Sequence, residues 1–241
     1  MTAFYDEQVS RTRRLLGARA MERLEESRVA VFGLGGVGGA CAEALLRCGV
    51  GHLTLVDADK VSVSNLNRQI FATRDTVGMD KVDAALLRLR AIRPECDITG
   101  VKAFVLPENI SQFDFSLWDY AADCVDTVTA KMAIVEAALA ADTRVISCMG
   151  TGNKLDPTAL EVADIYATSV CPLARVMRAL CRKRGVPALK AVYSREAPRP
   201  PTEEAQDAPP GRHIPASVSF VPPAAGYIMA AEVVRDLIFD I

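Results

Sequence analysis

No two of the seven cysteines stand as a Cys-x-x-Cys pair, so the chain offers no framework for a structural tetracysteine zinc site. Seven is an odd number and the spacings form no disulfide pattern, as expected of thiols kept reduced in a cytosol. The phosphate-binding pattern G-x-x-x-x-G-K-[ST] is absent, which argues against a P-loop hydrolase. No uncharged apolar run reaches the ~18 residues that a membrane span needs. The stretch from Val218 comes closest, and Pro222, Pro223, Glu232, Arg235 and Asp236 interrupt it. Residues 1–7 lack the basic-then-apolar pattern of an export signal, so a cytoplasmic location is expected. The formal net charge is only −2, which gives no global signal for a nucleic-acid partner and leaves room for a local basic patch. There is no internal repeat.

What is there is one sizeable core. Half of the 241 residues are hydrophobic, enough for a single domain with extensions. Residues 6–27 are charge-rich with apolar residues at helical spacing and read as one or two short helices of a surface arm. Apolar runs at 29–32, 52–56, 98–105, 121–125 and 144–149 read as strands. Between them, 37–47, 81–92 and 130–140 read as helices. Such alternation predicts an α/β fold, a doubly wound and mainly parallel sheet of Rossmann type. The last third reads as strands at 160–166, 188–194 and 217–221, with helices at 172–184 and 224–239. Residues 196–213, rich in Pro, Glu and Ala, read as a mobile loop. The expected organisation is one unit: an arm over 1–27, a nucleotide-binding core over 28–158 and a substrate-side extension over 159–241.

Ligands of doubly wound sheets bind beyond the carboxyl ends of the strands. Gly33, Asp57, Asp126 and Gly150 all stand at those ends. The turn Gly33-Leu34-Gly35-Gly36-Val37-Gly38 lies after a strand and before a helix, where free N–H groups meet phosphate. Asp57 follows at the distance of a ribose-binding carboxylate. To this point a dinucleotide and ATP fit equally well. The next residues separate them. Arg68 and Lys81 add cations where a leaving pyrophosphate needs them. Asn65 and Asn67 can donate to phosphate oxygens. Asp126 can hold Mg²⁺; its alternative role is to cap the following helix. The alternative for Arg68 and Lys81 is a solvated surface. The combination points to a triphosphate pocket built to split ATP between its α- and β-phosphates.

Gly33–Gly38, Asp57-x-Asp59, the string Ser64-Asn65-Leu66-Asn67-Arg68-Gln69, Lys81 and Asp126 resemble the adenylation domain of the ubiquitin-activating-enzyme superfamily, over about residues 8–170. The resemblance implies that the glycine turn, Asp57, Asp59, Asn65, Asn67, Arg68, Gln69 and Lys81 bind ATP, with Arg68 and Lys81 on the phosphates and Asp126 on Mg²⁺. It also implies that Arg14 reaches the ATP of a partner subunit, giving a homodimer with two shared sites. Within the superfamily, Gly150 to Pro157, Val162 to Ile165, Cys171 to Arg178 and Ser219 to Gly226 are similar to the tRNA threonylcarbamoyladenosine dehydratases. That branch implies adenylation of the carboxylate of a modified adenosine beside the anticodon of tRNA, then ring closure with release of AMP and net loss of water. The alternative is adenylation of the C-terminus of a ubiquitin-like sulfur carrier. A cysteine desulfurase or sulfur acceptor is a further partner to be weighed. Some activators of that kind use a cysteine nucleophile; Cys171 lies in the corresponding region but reads better as a packing residue beside a helix start. Between Arg175 and Arg199 stand eight basic residues and one acid, which suits an RNA backbone. The candidates are Arg175, Arg178, Arg182, Lys183, Arg184 and Lys190, with a solvated helix face as the alternative. Tyr166, Tyr193 and Phe220 are available for stacking on bases.

Overall fold

A computed structural model of the chain describes residues 3–203 and 215–239. Three short helices open it: α1 (Ala3–Gln8), α2 (Ser10–Leu16) and α3 (Ala18–Glu26). Then β1 (Arg28–Phe32), α4 (Gly36–Cys48) and β2 (His52–Val56) follow, and after a long connection α5 (Lys81–Ile92) and β3 (Asp97–Val101). The second half runs β4 (Tyr120–Asp123), α6 (Val128–Ala140), β5 (Arg144–Cys148), β6 (Leu160–Asp164), α7 (Pro172–Arg184), β7 (Lys190–Ser194) and α8 (Val221–Phe239).

The seven strands form one sheet in the order β3-β2-β1-β4-β5-β7-β6. Every pairing is parallel except β6 with β7. The order reverses between β1 and β4, so a crevice opens there beyond the strand ends. Central strands of a sheet covered on both faces are apolar throughout; Val29, Ala30, Val31 and Phe32 of β1 are all inaccessible to solvent. Under the far half of β1, Phe32 meets Phe113, Phe115 and Trp118 with ring centroids 5.8, 5.5 and 5.6 Å away.

Helix α8 lies against α4 at very close range. A Cβ at Gly226 would fall 2.2 Å from the carbonyl oxygen of Val37. Only glycine allows that approach, and the contact fixes α8 behind the glycine turn.

Three sequence expectations change. The arm is not a surface appendage: Tyr5, Val9, Met21 and Leu24 are buried within the main core. Its amphipathic stripe is completed from the body by Arg93, whose buried guanidinium lies 4.1 Å over the Tyr5 ring and donates to Glu25 and to the carbonyl of Val50. Residues 217–221 are not a strand; Val221 already begins α8. Pro222 and Pro223 lack the N–H groups a ladder needs, whereas the first turn of a helix leaves those groups unused. The strand expected over 98–105 stops at Val101. Of the loop expected over 196–213, residues 204–213 lie outside the described residues. Its first part is tied down: the Arg199 N–H donates to the carbonyl of Asn153 at 2.8 Å.

Candidate nucleotide site

The carboxyl ends of β1, β2, β4 and β5 enclose a cavity of about 570 Å³. Gly33, Gly35 and Gly36 line it, at the start of α4. The first N–H groups of a helix have no acceptor within it and carry its positive dipole end. Gly38 has a different task from the one expected. It does not line the cavity; a Cβ there would stand 1.7 Å from the Gly33 carbonyl oxygen. Gly38 lets the helix close onto the turn.

Asp57 ends β2 and braces that turn. Its carboxylate accepts from the Leu34 N–H at 2.6 Å and from the Asp59 N–H at 2.8 Å. Lys81 opens α5 and is 7% exposed. Its ammonium donates to Asp59 at 2.7 Å and lies 3.8 Å from Asp57. Burial of this cation is tolerated because two carboxylates face it.

The connection after β2 folds around its own side chains. Asn65 Oδ1 accepts from the Ser62 N–H at 3.0 Å, closing a short helical turn. Arg68 donates to the Ser64 carbonyl at 3.1 Å and to Asn67 Oδ1 at 2.8 Å. Its pKa is lowered by burial; a guanidinium nonetheless stays charged in proteins. Asn65, Arg68 and Gln69 line the cavity. Asn67 does not: it bridges Arg68 to the Ser217 carbonyl, at 3.1 Å, and so joins the Arg68 loop to the chain before α8.

Asp126 lies past the end of β4 rather than on it, because the strand stops at Asp123. It is exposed at the cavity wall, and among the described residues it accepts from the Thr127 hydroxyl, at 3.3 Å. Among the described residues the charged lining therefore consists of Asp57, Asp59, Asp126, Arg68 and Lys81, three carboxylates against two cations.

Arg14 is outside this cavity, on the exposed side of α2, with no ion pair among the described residues. The basic residues of the extension do not form one open patch. Lys190 is held by Asp236 at 2.7 Å and Glu232 at 3.2 Å, Arg184 lies 3.6 Å from Glu136, and Arg178 donates to the Thr168 hydroxyl at 2.7 Å. Arg195 and Arg199 pair with Glu161 and Glu196. Arg175, Arg182, Lys183 and Arg184 are exposed on α7, the first three without an ion pair among the described residues, and Arg182 lies 5.4 Å over the Tyr166 ring. Leu173, at the start of the same helix, lines the cavity. Cys171 is 2% exposed and packs in the second core cluster, so it is a packing residue.

Two groups escaped the sequence reading. Asp123, Lys131 and Ser147 form a fully buried polar cluster beneath the cavity. A lysine inside the apolar run of α6 was the available signal. Glu196 lies in what read as a mobile loop, yet its carboxylate accepts from the N–H groups of Leu155 and Asp156, at 2.9 and 2.8 Å. It clamps the segment that brings Gly150, Thr151 and Gly152 to the cavity.

The family model described as the ThiF family matches residues 5–238. The chain belongs to the ThiF family. Within it, the chain is 40% identical to the tRNA threonylcarbamoyladenosine dehydratase of Bacillus subtilis, over 97% of this chain and 96% of that one. It is likewise 40% identical to the enzyme of that name from Escherichia coli, over 69% of this chain and 62% of the relative. The crystal structure of the E. coli tRNA N6-threonylcarbamoyladenosine dehydratase TcdA in complex with ATP superposes with a TM-score of 0.90, at 31% identity, over 99% of this chain and 97% of that one. A second structure of that protein, in complex with AMP, superposes equally well, with a TM-score of 0.90.

The Glu196 clamp has a pH signature. The carboxyl is held below the usual glutamate range, first by the Asp156 N–H, then by the Leu155 N–H and Arg199. A lowered value means that the clamp is complete at neutral pH and is lost only as pH falls through that lowered value, below the usual ~4.3. Glu196→Ala is expected to cut the amide-exchange protection of Leu155 and Asp156 about tenfold at neutral pH. Unchanged protection, or loss in the wild type already near pH 6, would contradict the clamp.

Proposed function

We propose that this chain is an ATP-dependent tRNA-modifying enzyme that adenylates the carboxylate of threonylcarbamoyladenosine beside the anticodon and lets the adenylate close into a ring. The observation that carries this reading is the single cavity in which the glycine turn, Asp57, Arg68, Lys81 and Asp126 converge. In outline, a carboxylate oxygen of the substrate attacks the α-phosphorus of ATP, and pyrophosphate leaves with the bonding electrons. A carboxylate is a poor electrophile, and its mixed anhydride with AMP is a good one. A nucleophilic atom of the substrate's own carbamoyl group then attacks the acyl carbon: the ring bond forms as the acyl–AMP bond breaks, AMP leaves with the bonding electrons, and the nucleophile gives up its proton. The substrate has lost the elements of water overall.

Each residue of the chain has a part in this scheme. The glycine turn brings backbone N–H groups to the phosphates, and Asp57 is positioned to accept from ribose hydroxyls. Arg68 and Lys81 stabilise the charge that builds on the departing pyrophosphate. Asp59 keeps Lys81 oriented until the triphosphate competes for it. Among the described residues the acids of the lining outnumber its cations, which leaves a triphosphate of about four negative charges under-neutralised. A bound Mg²⁺ would offset part of that charge. The residues fit that ion: a nucleotide-bound Mg²⁺ needs only one or two protein carboxylates besides phosphates and waters, and Asp126 offers one. Among the described residues no cluster of three or more His, Cys, Asp or Glu could hold a metal without the nucleotide.

Further cationic charge is assigned to Arg14 of a second copy. Its exposure on α2, away from its own cavity, suits a homodimer with shared sites. The arm over 1–27, the core over 28–158 and the extension over 159–241 then form one adenylation unit. For tRNA we keep Arg175, Arg182, Lys183 and Arg184, which run from the cavity end of α7 outward and are exposed, and release Arg178 and Lys190 to the contacts that hold them. All seven thiols are buried or half-buried, and no sulfur-transfer step is assigned to them. Among the described residues no helix is long and apolar enough to cross a membrane; a cytoplasmic location accords with a tRNA substrate.

The direct test is mass spectrometry of tRNA nucleosides after incubation with ATP and Mg²⁺. The expected product is threonylcarbamoyladenosine lighter by one water, with AMP formed in equal amount. AMP formed only when a ubiquitin-like carrier replaces tRNA would overturn the substrate. The shared site has its own test. Arg14→Ala and Lys81→Ala are each expected to lower turnover about a hundredfold or more. Mixed after dissociation, they should regain about a quarter of wild-type activity, since half the dimers are then mixed and each has one intact site. No recovery would contradict the composite dimer.

A further inference from the structure

Asp123 closes β4, Ser147 stands opposite it on β5, and Lys131 lies in the first turns of α6. All three side chains are fully buried. Lys131 Nζ donates to Asp123 Oδ2 at 3.0 Å and to Ser147 Oγ at 3.2 Å. The Ser147 hydroxyl donates to the same Oδ2 at 2.5 Å, and Oδ1 accepts from the Val125 N–H at 3.2 Å. A buried ion pair is a poor source of net stability, because desolvation of both charges offsets their attraction. The location of this one supplies another reason for it. Cys124 to Thr127 follow Asp123, Ala130 precedes Lys131, and Cys148 and Met149 follow Ser147; every one of these neighbours lines the cavity.

We infer that the Asp123–Lys131–Ser147 network is a positioning device for the Mg²⁺–triphosphate, acting through the loop that carries Asp126. The inference rests on the reading of Asp126 given above. Asp126 is exposed and, among the described residues, bonds only to its neighbour Thr127, so its height over the cavity is set by its backbone. That backbone is held by the Val125 N–H on Asp123 Oδ1, while Oδ2 is locked to α6 and β5. Lys131 pairs with Asp123 and holds it in place; Ser147 fixes the direction of the carboxylate. None of the three lines the cavity.

The test is calorimetric titration of Mg²⁺ into the ATP-loaded full chain, beside metal-free ATP affinity and thermal midpoint. The variants are Ser147→Ala, Lys131→Arg, the charge-neutral pair Asp123→Asn with Lys131→Met, and Asp126→Ala. Residues that orient a metal ligand without touching the ion typically contribute about ten- to a hundredfold in affinity. The neutral pair is expected to weaken Mg²⁺ about tenfold and Ser147→Ala about threefold, with metal-free ATP affinity nearly unchanged and Lys131→Arg close to wild type. A lowered thermal midpoint with unchanged Mg²⁺ affinity would make the network a folding element only and overturn the inference. If the neutral pair does not fold, Ser147→Ala decides alone. Asp126→Ala separates the two levels: if it leaves Mg²⁺ affinity untouched, the metal role of Asp126 falls first; if it weakens Mg²⁺ and the network variants do not, only the network falls. None of these readings needs tRNA, so they stand apart from the substrate assignment.

Discussion

Charge balance at the carboxyl edge of the sheet is the constraint on which the site depends. Lys81 is almost wholly buried, and it persists there because Asp57 and Asp59 lie within 3.8 and 2.7 Å. Arg68 is partly desolvated and is held by a carbonyl and an amide oxygen. Both cations are thereby held at the cavity edge, by partners with which a bound triphosphate would compete. Among the described residues the lining holds three carboxylates against two cations. The Mg²⁺ proposed at Asp126 and the Arg14 proposed from a second copy would each offset part of the charge of a triphosphate.

Much of the site was legible because its parts are local in sequence and tied to strand ends. The glycine turn, Asp57 and the Arg68 string each follow an apolar run, and the parallel topology brings the ends of such runs to one edge. The alternation of strands and helices was enough to predict the doubly wound sheet, and the observed order places its crevice between β1 and β4. The motif residues could not all be sorted by role, however. Gly38 and Asn67 belong to the pattern and yet serve the frame: one removes a clash of 1.7 Å, the other bridges 150 residues of sequence to Ser217. A pattern records which residues are needed and is silent on whether they face the ligand or the scaffold.

What stayed illegible was long-range. The arm looked like solvent-facing helices because the partners of Tyr5, namely Glu25 and Arg93, lie 20 and 88 residues further along. The basic run after Arg175 looked like one cationic surface because its acids, Glu136, Glu161, Glu232 and Asp236, come from other elements. Pairing across the fold engages Arg184, Lys190 and Arg195, Arg178 turns to Thr168, and what stays unpaired is a short track on α7. Residues 217–221 had strand composition, but two following prolines favour the first turn of a helix. The buried cluster of Asp123, Lys131 and Ser147 shows only as single polar residues in apolar runs, and its meaning appears once β4, β5 and α6 are packed together.

The central claim is that Arg68 and Lys81 hold the departing end of a bound triphosphate. A crystal structure of this protein with Mg²⁺ and an ATP analogue that resists cleavage between its α- and β-phosphates tests it most directly. The account predicts both cationic side chains within hydrogen-bond distance of β- or γ-phosphate oxygens, with Lys81 drawn from Asp59 toward the nucleotide. A triphosphate bound in the cavity with both side chains still turned to their present partners would contradict it.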